Sequence, residues 1–349
     1  MAVDVEHAPS LLPILDENKP DRAEMTPRYI AMGALALLFV VLPYAPFWNP
    51  DWISYGVIFA IVGLSVNVLI GYAGQVSLGH NAFVGVGAFA SALLVSKAGL
   101  IFWLALPLAA LSGAITALLL GFVALRLAGL FLALITLAYG AVAQGVIFEI
   151  RNVTGGAAGA LAPRPAGFTG EHAYVYLCIA IFGLVVYIDW RMMKTKVGRA
   201  ILAIRDNEIA AASFGINVVG YKLLAFVISG ASAGLAGALM AHRITRVSPT
   251  DFDFTLALTF VLMTAVGGLG SRAGIFIASF IFAILPLWFN SLTVWVLIIG
   301  PLLLLLTLTF FPGGLGQQFR PITDWLNGKS FSMKRGDAGV QSGGAGVRP

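Results

Sequence analysis

The chain has 349 residues, 59% of them hydrophobic and 11% charged, with a formal net charge of +5. Water-soluble domains carry about 25% charged residues, so a fold of this composition could not cover itself for water, and most of its surface must face lipid. The lysines and arginines sit in short segments between apolar runs, a pattern of membrane orientation that argues against nucleic-acid binding.

Residues 1–28 are polar and include Asp4, Glu6, Asp16, Glu17, Asp21 and Glu24. They lack the basic start and apolar core of a cleavable signal peptide and read as a cytosolic tail. Ten apolar stretches follow, at 30–45, 53–72, 82–96, 101–125, 127–148, 173–190, 221–242, 255–270, 274–289 and 291–311. A helix needs about 20 residues to cross about 30 Å of hydrocarbon. The expectation is an all-α polytopic membrane protein of about ten transmembrane helices, occupying 29–311. The 82–96 stretch would reach only about 22 Å at about 1.5 Å per residue. Lying beside a glycine-rich segment, it suggests a broken or re-entrant element. Residues 191–220 form a long charged loop. Residues 312–349 are glycine-rich, with little to bury, and are expected to be a disordered cytosolic tail.

With the N-terminus in the cytoplasm, sixteen lysines and arginines fall inside and five outside, the five being Lys97, Arg151, Arg164, Arg243 and Arg246. The positive-inside rule therefore puts both termini in the cytoplasm of an inner, or plasma, membrane. Trp48, Trp52, Trp103 and Trp190 lie at expected span ends, where amphipathic rings prefer to sit.

Within 63–87, GLSVNVLIGYAGQVSLGHNAFVGVG, glycine recurs at 63, 71, 74, 79, 85 and 87. Glycine permits backbone breaks and close helix contact. Gly71, Gly74 and Gly79 are candidate helix breaks, and Gly267, Gly268 and Gly270 form a second glycine block. Matching the blocks near Gly71 and Gly267 suggests two related halves, the second to fifth and seventh to tenth spans, as a two-fold pseudo-repeat. Irregular backbone at membrane depth survives only against protein or a wet cavity. Asn67, Gln75, Ser77, His80 and Asn81 would then line a path for solute. The plainer alternative is that they bond helices together. No second histidine lies near His80 to make a metal site.

Residues 196–215, KVGRAILAIRDNEIAAASFG, alternate apolar Ile201, Leu202 and Ile204 with Arg199, Arg205, Asp206 and Glu208, an amphipathic helical pattern. Such a helix either fits a groove on a partner or lies on lipid headgroups. The chain has no Gly-x-x-x-x-Gly-Lys-Ser/Thr, so it carries no such phosphate cradle of its own. Its single cysteine, Cys178, cannot form an intrachain disulfide. The acidic residues fall at or beyond span ends, which argues against a proton relay. No cluster has catalytic spacing, so an enzyme is not expected. A channel or an ion-coupled secondary transporter for a small neutral solute is the alternative reading that such a path leaves open.

The run from Asn67 to Phe83, NVLIGYAGQVSLGHNAF, resembles the signature of branched-chain amino-acid permeases of the LivM type, and the similarity extends over roughly 53–310. The resemblance implies the membrane subunit of an ATP-binding-cassette importer. It also implies a second permease subunit beside it, two ATPase subunits holding ATP and magnesium, and a periplasmic solute-binding protein. This chain itself would hold no cofactor. In this family Ala210 and Ala211, set before Gly215, belong to the loop that docks on the ATPase. Arg199, Arg205 and Glu208 would share that task. Three positions depart from the family pattern. Ile209 stands where a glutamate usually precedes the two alanines, Ala158 where an acid is frequent, and Ile275 where proline is usual. The solute implied is a branched-chain amino acid or a similar small acid.

Overall fold

Asn49 opens the first helix. Its Oδ1 accepts the Asp51 amide, Pro50 stands at the first turn, and Asp51 places a negative charge on the helix N-terminus. This helix is α1 (Pro50–Val66), and it continues as a wider π-helical stretch, Asn67–Tyr72. The computed structural model describes residues 49–125 and 129–288, with Pro43 and short pieces between 301 and 318. Along these follow α2 (His80–Ser96), α3 (Phe102–Ala124), α4 (Leu130–Val142, continued to Ile147) and α5 (Glu171–Lys194). The remaining helices are α6 (Lys196–Asp206), α7 (Glu208–Ser213), α8 (Val218–Ile244), α9 (Phe254–Gly267) and α10 (Arg272–Trp288).

Among the described residues, six segments are long and apolar enough to cross a bilayer, and α2 and α10 are shorter apolar helices. These eight fall on the spans expected from 53–72 to 274–289, each within about a turn. The expected 30–45 span apart from Pro43, the N-terminal tail and most of 312–349 lie outside the described residues. So does most of 291–311, apart from helical pieces between 301 and 310. Where the C-terminal tail is described, 315–318 are helical and Gly314 and Gly316 pack against Gly268 and Ser271, so its start is ordered rather than loose.

The most apolar window of Pro50–Tyr72 is 89% buried, against 28% for Leu130–Ile147. A helix apolar all round belongs in the core, and α1 occupies it, flanked by α5, α8, α9 and α10. Beside it, α8 packs on α2 and α3 through small residues. A Cβ added at Gly234 would strike Gly113 of α3 and the Ala109 carbonyl, and one at Gly237 would strike the Val84 carbonyl of α2. Gly87 and Gly113 make the reciprocal contacts. Lipid gives helices no hydrophobic drive to associate, so such close backbone approach is what holds them.

One end of the bundle is tied by charge. Arg243, near the end of α8, pairs with Asp51 at 2.5 Å and lies over the Tyr55 ring at 4.3 Å. Between α4 and α5, a single turn (Arg151–Thr154) leads to β1 (Ala160–Leu161). This pairs antiparallel with β2 (Arg246–Val247), Ala160 opposite Val247. His242 Nδ1 and the Pro163 carbonyl, 2.6 Å apart, pin the same loop. At the other end, α6 and α7 follow α5 almost without interruption.

The glycine seam predicts that Gly234→Val destabilises the protein by about 3 kcal/mol through overpacking. Gly183→Val, where an added Cβ meets nothing within 4 Å, should shift the melting midpoint in detergent little. Equal shifts for the two would contradict the packing account.

Candidate functional site

After Tyr72 the chain leaves helical geometry and stays irregular through Gly79. Gly74 adopts φ +66°, a left-handed conformation that favours glycine. The seven residues do not run on past the bundle; they turn back into it. Ser65 and Ser229 exchange hydroxyl–carbonyl hydrogen bonds at 2.7 and 2.8 Å, and His80 Nε2 lies 3.0 Å from the same Ser229 hydroxyl. The first residue of α2 is therefore level with Ser65, about 10 Å up the helix from Tyr72. The short 82–96 span expected from sequence is thus a helix that starts inside the bundle.

Backbone groups freed by the break find protein partners. The Gln75 amide bonds the Leu69 carbonyl at 2.8 Å and the Leu78 amide bonds Thr136 Oγ1 of α4 at 2.9 Å. Gly79 lies so close to Thr136 that a Cβ would collide with its carbonyl.

The polar side chains of this segment are placed as follows. Asn67 is buried, and its Oδ1 accepts the Gly270 amide at 2.7 Å. Gln75 is half-buried and donates to the Ala73 carbonyl at 3.2 Å. Ser77 is buried, and Asn81 donates through Nδ2 to the Phe252 carbonyl at 3.0 Å. Asn67, His80 and Asn81 thus reach three other elements, yet they and Ser77 each keep one buried atom without a hydrogen bond. The atoms are Asn67 Nδ2, Ser77 Oγ, His80 Nδ1 and Asn81 Oδ1. A buried polar atom left unbonded is costly, and the four belong to residues in one irregular segment or on the helices that flank it.

Gly267 closes α9, and a turn through Gly268 (φ +94°) and Gly270 (φ +85°) leads into α10. Gly71 and Gly267 themselves stay helical and act as close-approach positions. A Cβ on Gly71 would collide with Asn67 Oδ1 and come within 2.9 Å of the Gly270 amide, while one on Gly267 would meet Ile275. The two glycine blocks therefore lie side by side at one end of the bundle. Their forms differ: one is a long return segment, the other a tight turn. Next to them, Asp189 of α5 pairs with Arg272 of α10 and accepts the Tyr72 hydroxyl at 3.3 Å.

The helices α6 and α7 sit at the same end. Ile201 and Ile204 of α6 are buried in the bundle, as its amphipathic pattern requires. Asn207 ends α6 and caps α7, its Oδ1 accepting the Ala210 amide at 2.9 Å. Ala211 is buried, Ala210 half-buried, and Glu208 pairs with Lys222 at 2.6 Å. Gly215 turns the chain at φ +78° with open space around it. Ile209 is 81% and Phe214 87% exposed. Arg199 faces outward. Arg205 is exposed along part of its length, but its Nη1 donates to the Gly71 carbonyl at 2.5 Å, with Gly74 over its stem.

Ser65, Ser229, Thr136, Tyr72, Asp189 and Arg272 complete this site, and sequence reading singled out none of them as part of it. The available signal was polar residues inside apolar runs, with Asp189 more than a turn before α5 ends. Removing Arg272 would strand a buried carboxylate. Arg272→Ala should cost about 3 kcal/mol, and Asp189→Asn combined with Arg272→Gln should recover most of that melting shift. Losses that simply add would contradict the pairing.

Residues 50–310 match the family described as branched-chain amino acid transport system, permease component. The chain is 32% identical over 327 residues to the high-affinity branched-chain amino acid transport system permease protein LivM of Escherichia coli K12. That alignment covers 84% of this chain and 76% of the relative. It is 32% identical to the protein of the same name in Salmonella typhimurium, over 82% and 75% of the two chains. A shorter stretch, 34% of this chain, is 34% identical to 35% of the L-arabinose transport system permease protein AraH of Escherichia coli K12. No solved structure matches the chain significantly. A multi-pass helical chain, matched along three-quarters of its length, belongs to the family of branched-chain amino acid transport system permease components.

Proposed function

We propose that this chain is the membrane permease subunit of an ATP-binding-cassette importer that brings a branched-chain amino acid or a similar small zwitterion into the cell. It works beside a second permease subunit, with two ATPase subunits on the cytoplasmic side and a solute-binding protein outside. Both termini and the α6–α7 pair face the cytoplasm, in keeping with the excess of lysine and arginine at that end.

The observation that carries this reading is the irregular segment 73–79, folded back inside the bundle with unbonded polar atoms of Asn67, Ser77, His80 and Asn81 around it. Uncharged dipoles of this kind replace water around a zwitterion without a fixed charge that would trap it. In the structure these residues are closed off by protein, so the solute passes only when the segment moves. The LivM relatives, named for branched-chain amino acids and alike over more than four-fifths of this chain, support the choice of solute.

The force for that movement enters at α6 and α7. A helix of six residues capped by Asn207, with Ile209 and Phe214 bare at its ends, suits a groove on a partner protein. Gly215 ends it in a conformation that a larger residue would strain.

The test is uptake of radiolabelled leucine by the native assembly, purified through a tag on this chain and placed in liposomes. Accumulation should require ATP on the α6–α7 side; equal leak without ATP would contradict an importer. Ile209→Asp or Phe214→Asp should strip the ATPase subunits from the purified assembly while leaving this chain in the membrane. Cysteines at positions 75 and 77 should react with small aqueous reagents, position 77 only while ATP is being turned over. If both stay inert in every state, these residues do not line the path.

A further inference from the structure

Arg205 was expected on the outer, docking face of the amphipathic helix, but its guanidinium bonds the Gly71 carbonyl. That carbonyl belongs to the last turn before the chain breaks. Gly74, the first left-handed residue of the break, rests on the Arg205 stem, where an added Cβ would lie 3.3 Å from Cγ. The same guanidinium thus holds the end of α1 while its stem supports the start of the return segment.

Gly71 also abuts the second break. It packs against the Gly270 amide, and that amide is held by Asn67 Oδ1 from the turn just above Gly71. Neither contact admits a side chain at position 71. A displacement of the Gly71 peptide therefore moves against the 268–271 turn directly, with no flexible side chain between to absorb it. On its other flank, α6 is fixed to the bundle by Ile201 and Ile204 and is continuous with α7 through Asn207. Motion of α7 can reach both breaks through the charge-assisted hydrogen bond of Arg205, the stronger, more directional kind, while α5 reaches their outer ends separately through Asp189.

We infer that Arg205 is a positioning residue that makes the two breaks move as one unit, acting through the Gly71 carbonyl rather than on solute or on the ATPase. This rests on the importer reading above. Arg205 sets the pose of 73–79, and Gly71 and Asn67 pass that pose to 268–271. Lysine at position 205 would keep the charge and one donor but not the planar fork.

The experiment measures leucine moved per ATP hydrolysed by the purified native assembly in liposomes, with Arg205→Ala, Arg205→Met and Arg205→Lys. Methionine keeps an aliphatic stem under Gly74 and guards against simple misfolding. Alanine and methionine should lower the ratio about tenfold while the ATPase subunits stay bound and ATP hydrolysis persists, and lysine should restore part of it. Hydrogen exchange at the 268–271 amides should quicken in the methionine variant, although Arg205 touches none of them. A ratio equal to wild type overturns the inference. So does loss of the ATPase subunits, which would make Arg205 a docking residue, and so does faster exchange confined to α6. Should the unaltered assembly accumulate leucine without ATP, the importer reading itself fails, a result distinct from any of these.

Discussion

Peptide groups released where a helix stops inside a bilayer have no water to bond and must be satisfied by protein. In this chain the first break is satisfied by its own helix, by α4 and by α6, and it in turn supplies a partner to the second. Asn67 holds the Gly270 amide, Gly71 lets the two backbones touch, and Arg205 takes the Gly71 carbonyl. The Tyr72–Asp189–Arg272 group pins the helices that flank the breaks, and α1, buried on nearly all sides, carries the junction to the centre of the bundle. The opposite end is built differently, with Asp51, Arg243 and the paired strands β1 and β2 holding a loop over the bundle.

The two halves of α2's surroundings divide the labour. From its second turn on, α2 is locked to α8 by glycine contacts at Val84 and Gly87 and by Ser91 and His242, whose Nε2 lies 2.9 Å from the hydroxyl. Toward its N-terminus the partners are single hydrogen bonds, to Ser229 and to the Phe252 carbonyl, beside atoms that bond nothing. Stability is therefore unevenly spread, and the end with fewer satisfied groups is the one expected to open. A permease needs that asymmetry: a rigid wall against which a short segment can change its pose.

The helices were legible because lipid imposes a simple code, roughly 20 apolar residues per crossing. The caps at Asn49 and Asp253 were also written in the sequence, as a short polar residue before an apolar run, but were not read there. The break near Gly74 was legible as well, since glycine density beside a span of substandard length has few other readings. The long-range partners were not. Ser65 meets Ser229 across 164 positions, and Tyr72 meets Asp189 across 117; no local periodicity encodes such pairs. Gly71 and Gly267 looked like break points by residue type, yet they remain helical, because what they supply is absence of a side chain rather than unusual torsion. Arg205 was misleading for a related reason. Helical periodicity assigns a face to the Cα, whereas a long side chain can reach back from the rim of that face to a carbonyl beneath it.

The central claim is that the segment 73–79 and the turn 268–271 form one junction that changes state when ATP is consumed. Hydrogen exchange on the unaltered, fully assembled transporter, compared with and without ATP, addresses it directly. The account predicts that peptides covering the two regions change protection together and in the same direction, while the glycine-packed stretch of α8 around Gly234 stays slow in both states. A change in one region with the other unmoved would contradict it.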